Sequence, residues 1–249
     1  MRNENEDLLA ARAAEGGEEK RAYVQQLFSQ IAPRYDLLNH VLSFNIDRSW
    51  RTKAIRELDI ARSPAGKYLD LCAGTLDISA AIARGEGFRG SILAADFAEP
   101  MLRAGVSKIG AARISPVTAD ALDLPIAPSS MAGAIVAFGI RNVADLDACL
   151  REVHRVLEPR ARFVILEFST PRSSIVRSAY HFYSHNILPA IGQLVSGHGT
   201  AYRYLPKSVA NFPAEEELAR RMSAAGFANL SWRSLTMGVA AIHVGQKSV

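Results

Sequence analysis

Two short segments carry residues whose types and spacing suit one kind of chemistry. Residues 67–77 read KYLDLCAGTLD and residues 91–96 read SILAAD. In the first, an apolar run reaches Asp70 and passes through a small-residue turn containing Gly74 and Thr75 into a helix-forming stretch. In the second, an apolar run ends at Asp96. An open α/β sheet places a backbone loop and a carboxylate around an adenosine in this way, with the acid accepting hydrogen bonds from both ribose hydroxyls. Asp70, Gly74, Thr75 and Asp96 are therefore candidate nucleoside contacts. Asp96 is equally placed to cap the next helix, and the turn could close without a ligand.

The turn lacks the full G-x-G-x-x-G of dinucleotide binders. A pyrophosphate needs very close backbone approach, which glycines allow. A nucleoside without phosphate, S-adenosyl-L-methionine, tolerates Ala73 and Leu76. Further acids and loops follow at the next strand ends. Asp120, in TADALDLP, could accept an adenine amino group while the Ala121 N–H meets a ring nitrogen; the alternative is a turn aspartate. Phe97 and Met101 could flank the adenine or pack in the core. The loop FGIRNV, 138–143, brings Arg141 and Asn142 to the side where the transferable group would lie. An arginine there could stabilise an anionic oxygen, or pair with a surface acid. Tyr35 and Asn39, well before the sheet, could cover the ligand or pack an amphipathic helix. Glu167 ends another strand, as a cap or as pocket lining. His181 and His185 share a helical face but have no third ligand, so a metal is not expected.

These residues need a scaffold that brings strand ends together. Strands are expected at 67–72, 91–95, 114–118, 132–138 and 162–168, alternating with helices at 77–84, 98–109 and 145–157. That alternation predicts a parallel sheet with helices on both faces. A helix at 214–225 and two runs at 228–235 and 238–245 predict an antiparallel hairpin closing the sheet. The order is that of class I methyltransferases: α/β, Rossmann-like, seven strands, the last hairpin antiparallel. Before the sheet, helices are expected over 22–60: one ended by Pro33, one near Tyr35–Leu42, and one capped by Asp47 and running to Leu58. Residues 1–20 read as a disordered tail, 21–249 as one domain, and 173–212 as an inserted aromatic, helical segment.

The composition agrees with one soluble globular domain. Of 249 residues, 49% are hydrophobic and 22% charged, with a net charge of +4. Arginines are scattered rather than striped, and no Asn-Pro-Pro-Tyr-type motif follows the fourth strand, so nucleic acid is not an expected partner. Cys72 and Cys149 have no ligand spacing and suit a reducing interior. No apolar stretch approaches the ~18 residues of a membrane span, and the charged start lacks a signal-peptide core. A cytoplasmic location is expected.

Four longer stretches carry a family resemblance. They are YDLLNHVLSFNIDRSW at 35–50, FGIRNV, RVLEPRARFVILEFS at 155–169, and the closing AGF…GVAAIHVG over 225–245. Together they resemble the C-methyltransferases of ubiquinone and menaquinone biosynthesis, over about residues 22–247. Against the family pattern, Leu38 replaces Met, Asp47 stands where His is usual, and Glu158 replaces Lys. Arg160 and Ala161 replace two glycines, and Leu76 replaces a glycine of many members. The 158–161 turn lies away from the expected site, so altered geometry rather than lost activity is expected there. NFP at 211–213 and GVAA at 238–241, with Leu76, lean the resemblance to the menaquinone branch.

The resemblance implies methylation of a ring carbon of demethylmenaquinol by S-adenosyl-L-methionine. It implies Arg141 stabilising a phenolate, a water held by Arg141 and Asn142 taking the proton, and Tyr35 and Asn39 near the substrate. The partner would be a polyprenylated quinol, with 175–205 as an apolar tunnel or membrane-contacting lid at the inner face of the membrane. A homodimer or quinone-synthesis complex fits the same reading. The alternatives are a ubiquinone-pathway benzoquinol, another small aromatic or sterol, or a non-catalytic methyltransferase-like subunit.

Overall fold

The computed structural model of the chain describes residues 17–32, 35, 43, 45–110, 113–183, 186 and 199–248. Its centre is a seven-stranded sheet in the order β3-β2-β1-β4-β5-β7-β6. The strands are β1 (Lys67–Leu71), β2 (Ser91–Asp96), β3 (Ile114–Thr118), β4 (Met131–Ala137), β5 (Leu157–Phe168), β6 (Phe227–Leu235) and β7 (Ala240–Lys247). Strands β1 to β5 pair in parallel, and β7 runs antiparallel to both β5 and β6. The expected alternation and closing hairpin are both present.

The central strands are apolar on both faces because helices cover both. Tyr68, Leu69 and Leu71 of β1 are buried, as are Ala134, Ile135 and Val136 of β4. One core packs α5 (Leu146–Val156) and α8 (Glu215–Ala224) on the sheet, through Cys149, Leu150, Val153, Leu218 and Met222. The other packs α2 (Ile46–Glu57) and α3 (Asp77–Ala83), through Trp50, Ala54, Ile78 and Ile82. The sequence of α5 explains its placement: its buried residues recur at helical spacing, and Asp145 caps it by accepting the Ala148 N–H at 3.0 Å. Asp47 does not cap α2 as expected. Asn45 holds the cap position, and Asp47 lies buried in the first turn, accepting from Ser43 Oγ at 2.7 Å and Arg51 Nε at 3.4 Å. A third, smaller core sits above the sheet's carboxyl edge. There α1 (Gly17–Ile31) contributes Val24, Leu27 and Ile31 against Tyr204 of α7 (Gly199–Ala210). Helix α1 begins at Gly17, inside the stretch expected as tail.

Two family departures acquire a conformational account. Arg160, at a glycine position of the resembled family pattern, has φ 65°, and the β4–β5 register shifts beside it. Its carbonyl accepts from Gln246 Nε2 at 2.8 Å, at the amino edge of the sheet. This left-handed bulge also explains why β5 begins at Leu157 rather than at the expected 162. Leu76 likewise has φ 64° at the start of α3 and is fully buried. The next helix, α4 (Glu99–Gly105), presses on this turn: a Cβ on Gly105 would lie 2.4 Å from the Thr75 carbonyl oxygen and 2.9 Å from Leu76 Cγ. Leu76 thus accepts a backbone that glycine adopts freely, offset by complete burial of its side chain.

Replacing Leu76 separates the two terms. Leu76→Ala keeps the strained backbone and opens a cavity, costing about 2–4 kcal/mol. Leu76→Gly loses the same contacts but relieves about 1 kcal/mol of strain. In urea unfolding the glycine variant is expected to be the more stable of the two. Alanine above glycine would show that the turn carries no strain.

Candidate functional site

A pocket opens at the carboxyl ends of the four parallel strands β3, β2, β1 and β4, where ligands bind in open α/β sheets. It holds about 740 Å³ of empty space, part of it continuous with solvent. Leu71, Cys72 and Gly74 wall it from β1, and Ala95, Asp96, Phe97 and Met101 from β2 and α4. Ala119, Asp120 and Ala121 follow β3, and Ala137 to Gly139 with Asn142 and Val143 follow β4. Arg21 and Phe28 of α1 and the half-buried Tyr35 cover it. The volume suits a nucleoside-sized ligand.

Asp96 organises the β1–β2 side. Its Oδ2 accepts the Gly74 N–H and its Oδ1 the Ala98 N–H, both at 2.8 Å. Burial raises its pKa, while the Ala98, Gly74 and Phe97 N–H groups oppose the rise. Asp96 thus braces the turn and the start of α4 together, and each oxygen keeps a lone-pair site. The β1 and β4 loops also touch closely: a Cβ on Gly139 would come 2.3 Å from Cys72 Cβ. Cys72 and Phe138, flanking this contact, have φ 52° and 63°. Strained backbone therefore gathers at the pocket. Burial raises the Cys72 thiol well above its usual pKa, which keeps it protonated.

Asp120 is tied to α1 by Arg21 Nη2 at 2.9 Å and accepts the Leu122 N–H at 3.0 Å. Gln25 Nε2 of α1 donates to the Phe97 carbonyl at 3.3 Å. Helix α1 is therefore clipped to the ends of both β2 and β3. Asn142 accepts from the Tyr204 hydroxyl at 3.2 Å.

The structure brings Tyr35, Gly74, Asp96, Asp120, Ala121 and Asn142 to one pocket. Three candidates lie off its wall. Asp70 accepts from Ser79 N at 3.0 Å and Ser79 Oγ at 2.6 Å, so it serves the first turn of α3. Thr75 is buried beneath the turn. Arg141, in the 3-10 helix Ile140–Asn142, is buried behind the wall. Its Nη1 donates to Glu167 Oε1 at 2.6 Å and to the Phe138 carbonyl at 2.7 Å, and its Nε to Ser208 Oγ of α7 at 3.3 Å. Burial works against this charge, but Glu167, Tyr35 and Tyr204 around it hold its pKa above the usual arginine value. Neither a surface acid nor an exposed guanidinium describes it. Asn39, His185 and the 184–185 and 187–198 part of the aromatic segment lie outside the described residues.

Arg21 and Phe28, the latter one of the helically spaced apolar residues Tyr23, Leu27, Phe28 and Ile31, are not read from sequence as covering residues. Their signal is a seven-residue separation, two helical turns, which puts both on one face of α1. Asp47, which departs from the histidine of the resembled family pattern, is not on the pocket wall; it bonds Arg51, whose guanidinium lies 5.4 Å from the Phe138 ring centre.

The family model of the ubiE/COQ5 methyltransferase family matches residues 16–247. A ubiquinone/menaquinone biosynthesis C-methyltransferase of Geotalea daltonii is 43% identical over 233 residues, 92% of this chain and 98% of its own. A demethylmenaquinone methyltransferase of Thermus thermophilus is 44% identical over 224 residues, 89% of this chain and 100% of its own. Among solved structures, an S-adenosylmethionine-dependent methyltransferase of Thermotoga maritima matches with TM-score 0.62 at 16% identity, covering 90% of this chain and 99% of that one. The Haemonchus contortus phosphoethanolamine N-methyltransferase 2 in complex with S-adenosyl-L-methionine matches with TM-score 0.57 at 12% identity, covering 74% and 49%. These likenesses place the fold among class I methyltransferases.

Burial pushes the Asp70 pKa up to about 7, although the Ser79 hydrogen bonds and Arg51 pull it down. The fold therefore binds a proton that the unfolded chain releases above about pH 4, and stability falls as pH rises through about 7. Asp70→Asn removes this dependence. Its stability relative to wild type is expected to climb between pH 5 and 7 and level off above, measured by urea midpoints. A difference flat across that range would show Asp70 ionised throughout.

Proposed function

The chain belongs to the ubiE/COQ5 methyltransferase family, and we propose on that premise that it transfers a methyl group from S-adenosyl-L-methionine to a ring carbon of a demethylmenaquinol. The observation that carries the reading is the convergence of Asp96, Asp120 and the 138–143 loop on one pocket, in a chain 44% identical to a demethylmenaquinone methyltransferase. The donor set fits the cofactor. Carboxylates with spare lone pairs suit ribose hydroxyls and an adenine amino group, and Phe97 and Met101 suit the flat faces of a purine. No cluster of acceptors or cations for a pyrophosphate is needed.

When bound, S-adenosyl-L-methionine supplies an electrophilic methyl on a sulfonium. The chain's own residues would do the rest. Asp96 holds the ribose, and Asp120 with the Ala121 N–H holds the adenine edge. Loss of a quinol hydroxyl proton makes the ring carbon a stronger nucleophile and leaves negative charge on oxygen. Arg141 lies on the β4 side, where its charge would stabilise that oxygen. Its pKa excludes it as the base, so the hydroxyl proton passes to a water held near Arg141 and Asn142. The ring carbon that gains the methyl then loses its own hydrogen as a proton to water, restoring the aromatic ring and leaving S-adenosylhomocysteine as the second product. Glu167 fixes the guanidinium. Tyr35 and α1 exclude solvent, and positioning supplies much of the acceleration.

A prenyl tail is insoluble in water, and α6 (Ser174–Phe182) leaves Ile175 81% and Phe182 63% exposed. Peripheral contact with the inner membrane face through α6 follows as part of the proposal. No helix among the described residues is long and apolar enough to cross a membrane.

Quinones extracted from a cell lacking its own enzyme, with and without this chain, test the reading. Methylated naphthoquinone is expected; a methylated benzoquinone would move the acceptor to the ubiquinone pathway. Donor binding without any methylated quinone would make the chain a non-catalytic subunit. In vitro, Asp96→Ala is expected to weaken donor binding at least ~10-fold by calorimetry. Arg141→Lys, which keeps a charge beside Glu167, is expected to leave that affinity alone and lower turnover about 10²-fold. Unchanged values would remove the respective roles. Ile175→Glu with Phe182→Glu should reduce co-sedimentation with anionic liposomes, and equal co-sedimentation would rule out the α6 contact.

A further inference from the structure

Lys20 is placed against every ordinary preference of a lysine. It is the fourth residue of α1, where the helix dipole disfavours a cation. It is only partly exposed, with Val24 buried one turn further along the same face. Among the described residues its ammonium makes no hydrogen bond and no ion pair. Its electrostatic neighbour is another cation, Arg141. Helix α1 packs directly on the 3-10 helix that carries Arg141.

Among the described side chains, the charges around this spot do not cancel. Arg141 and Glu167 form a closed pair. The phenols coupled to them, Tyr180 and Tyr204, are held neutral, with burial raising each to about 12. Tyr35, also coupled to Arg141, walls the pocket. Lys20 therefore adds a positive charge to the partly desolvated, phenol-bearing surroundings of Arg141, whose chain neighbour Asn142 walls the pocket. Burial, and then the charge of Arg141, lower its pKa to about 8, so the lysine lies close to losing that charge. Residues that violate local preference without a structural partner are expected at functional sites.

We propose that Lys20 is a second cation, acting beside the Glu167-paired Arg141, that receives a singly charged oxygen ligand at this site. Two sources supply that chemistry in the reaction proposed above, on which this inference rests: the amino-acid carboxylate of the methyl donor and the phenolate of the ring acceptor. An oxyanion beside Lys20 turns an unfavourable like-charge approach into a compensated cluster and raises the lysine back toward its usual basicity.

Lys20→Met, which keeps the stem and removes the charge, and Lys20→Arg, which keeps the charge, provide the test in the full-length protein. Calorimetry uses S-adenosylhomocysteine and methylthioadenosine, which share the nucleoside but differ in the amino-acid carboxylate. If the carboxylate is the ligand, Lys20→Met loses at least tenfold in affinity for the first and nothing for the second. Binding of the first by wild type near pH 8 then takes up a proton, read from buffers of different ionisation enthalpy, and the variant takes up none. If the phenolate is the ligand, both affinities stay, while kcat/KM for a short-chain demethylmenaquinol falls at least tenfold. The alkaline limb of its pH profile near 8 then disappears. Lys20→Arg retains function in either case. Lys20→Met indistinguishable from wild type in both arms overturns the inference. So does an equal loss for both nucleosides that Lys20→Arg fails to rescue, which marks a purely structural lysine. A wild-type protein inactive on every quinol would sink the proposed reaction and leave the calorimetric arm to decide the role of Lys20.

Discussion

A guanidinium and a carboxylate, both closed off from water, set the geometry of the carboxyl edge of the sheet. Arg141 and Glu167 join the loop after β4 to the end of β5, and the same arginine reaches the Phe138 carbonyl and Ser208 of α7. Glu167 also accepts the N–H of its neighbour Phe168. A pair of this kind gains little net stability, because desolvation consumes most of the Coulomb attraction. What it does supply is a requirement: neither partner can move without leaving a bare charge in the interior. Loop 138–142, β5 and α7 are thereby held to one arrangement, and Asn142 and Phe138 are fixed where they wall the pocket.

Around that pair, backbone conformation does much of the shaping. Cys72, Leu76 and Phe138 all have left-handed φ values within two adjoining loops. Such residues persist only where their surroundings over-determine them. The contact of Gly139 with Cys72 and of Gly105 with the Thr75–Leu76 turn supply that surrounding pressure. The pocket floor is thus stiff before any ligand arrives, which reduces the entropy lost on binding.

Much of this was legible in the sequence, and the reasons are specific. Asp96 and Asp120 announced themselves because one ends and the other closely follows a strand-like run at the same edge of a parallel sheet, so period and polarity alone placed them in one cleft. Asp70 shares that spacing but lies one residue short of the strand end, and side chains alternate along a strand; it therefore turned inward to Ser79. The Arg141–Glu167 pair could not be read, since 26 residues separate its members and only the β4–β5 register makes them neighbours. Asp47 was taken for a cap because its residue type suits one; the chain enters α2 two residues earlier, at a left-handed Asn45. Helix α1 read only as a helix ended by Pro33, and nothing in that reading marked Arg21, which lines the pocket, or Gln25, which holds the Phe97 carbonyl.

The strand order carries a consequence for how such a chain comes to be folded. Strand β7 lies between β5 and β6, although it follows both in sequence. While the polypeptide emerges from the ribosome, β5 can dock on β4 but keeps one flank of unpaired amide and carbonyl groups exposed, and β6 has no neighbour at all. That flank is a template for association with other nascent chains until β7 slots in. Assembly of the site waits on the same event, because Glu167 pairs with Ala241 and Phe168 with Ala240 of β7. Truncation, slow translation or a bulky fusion near the last strand would therefore reach the pocket by way of solubility, without touching any residue that walls it.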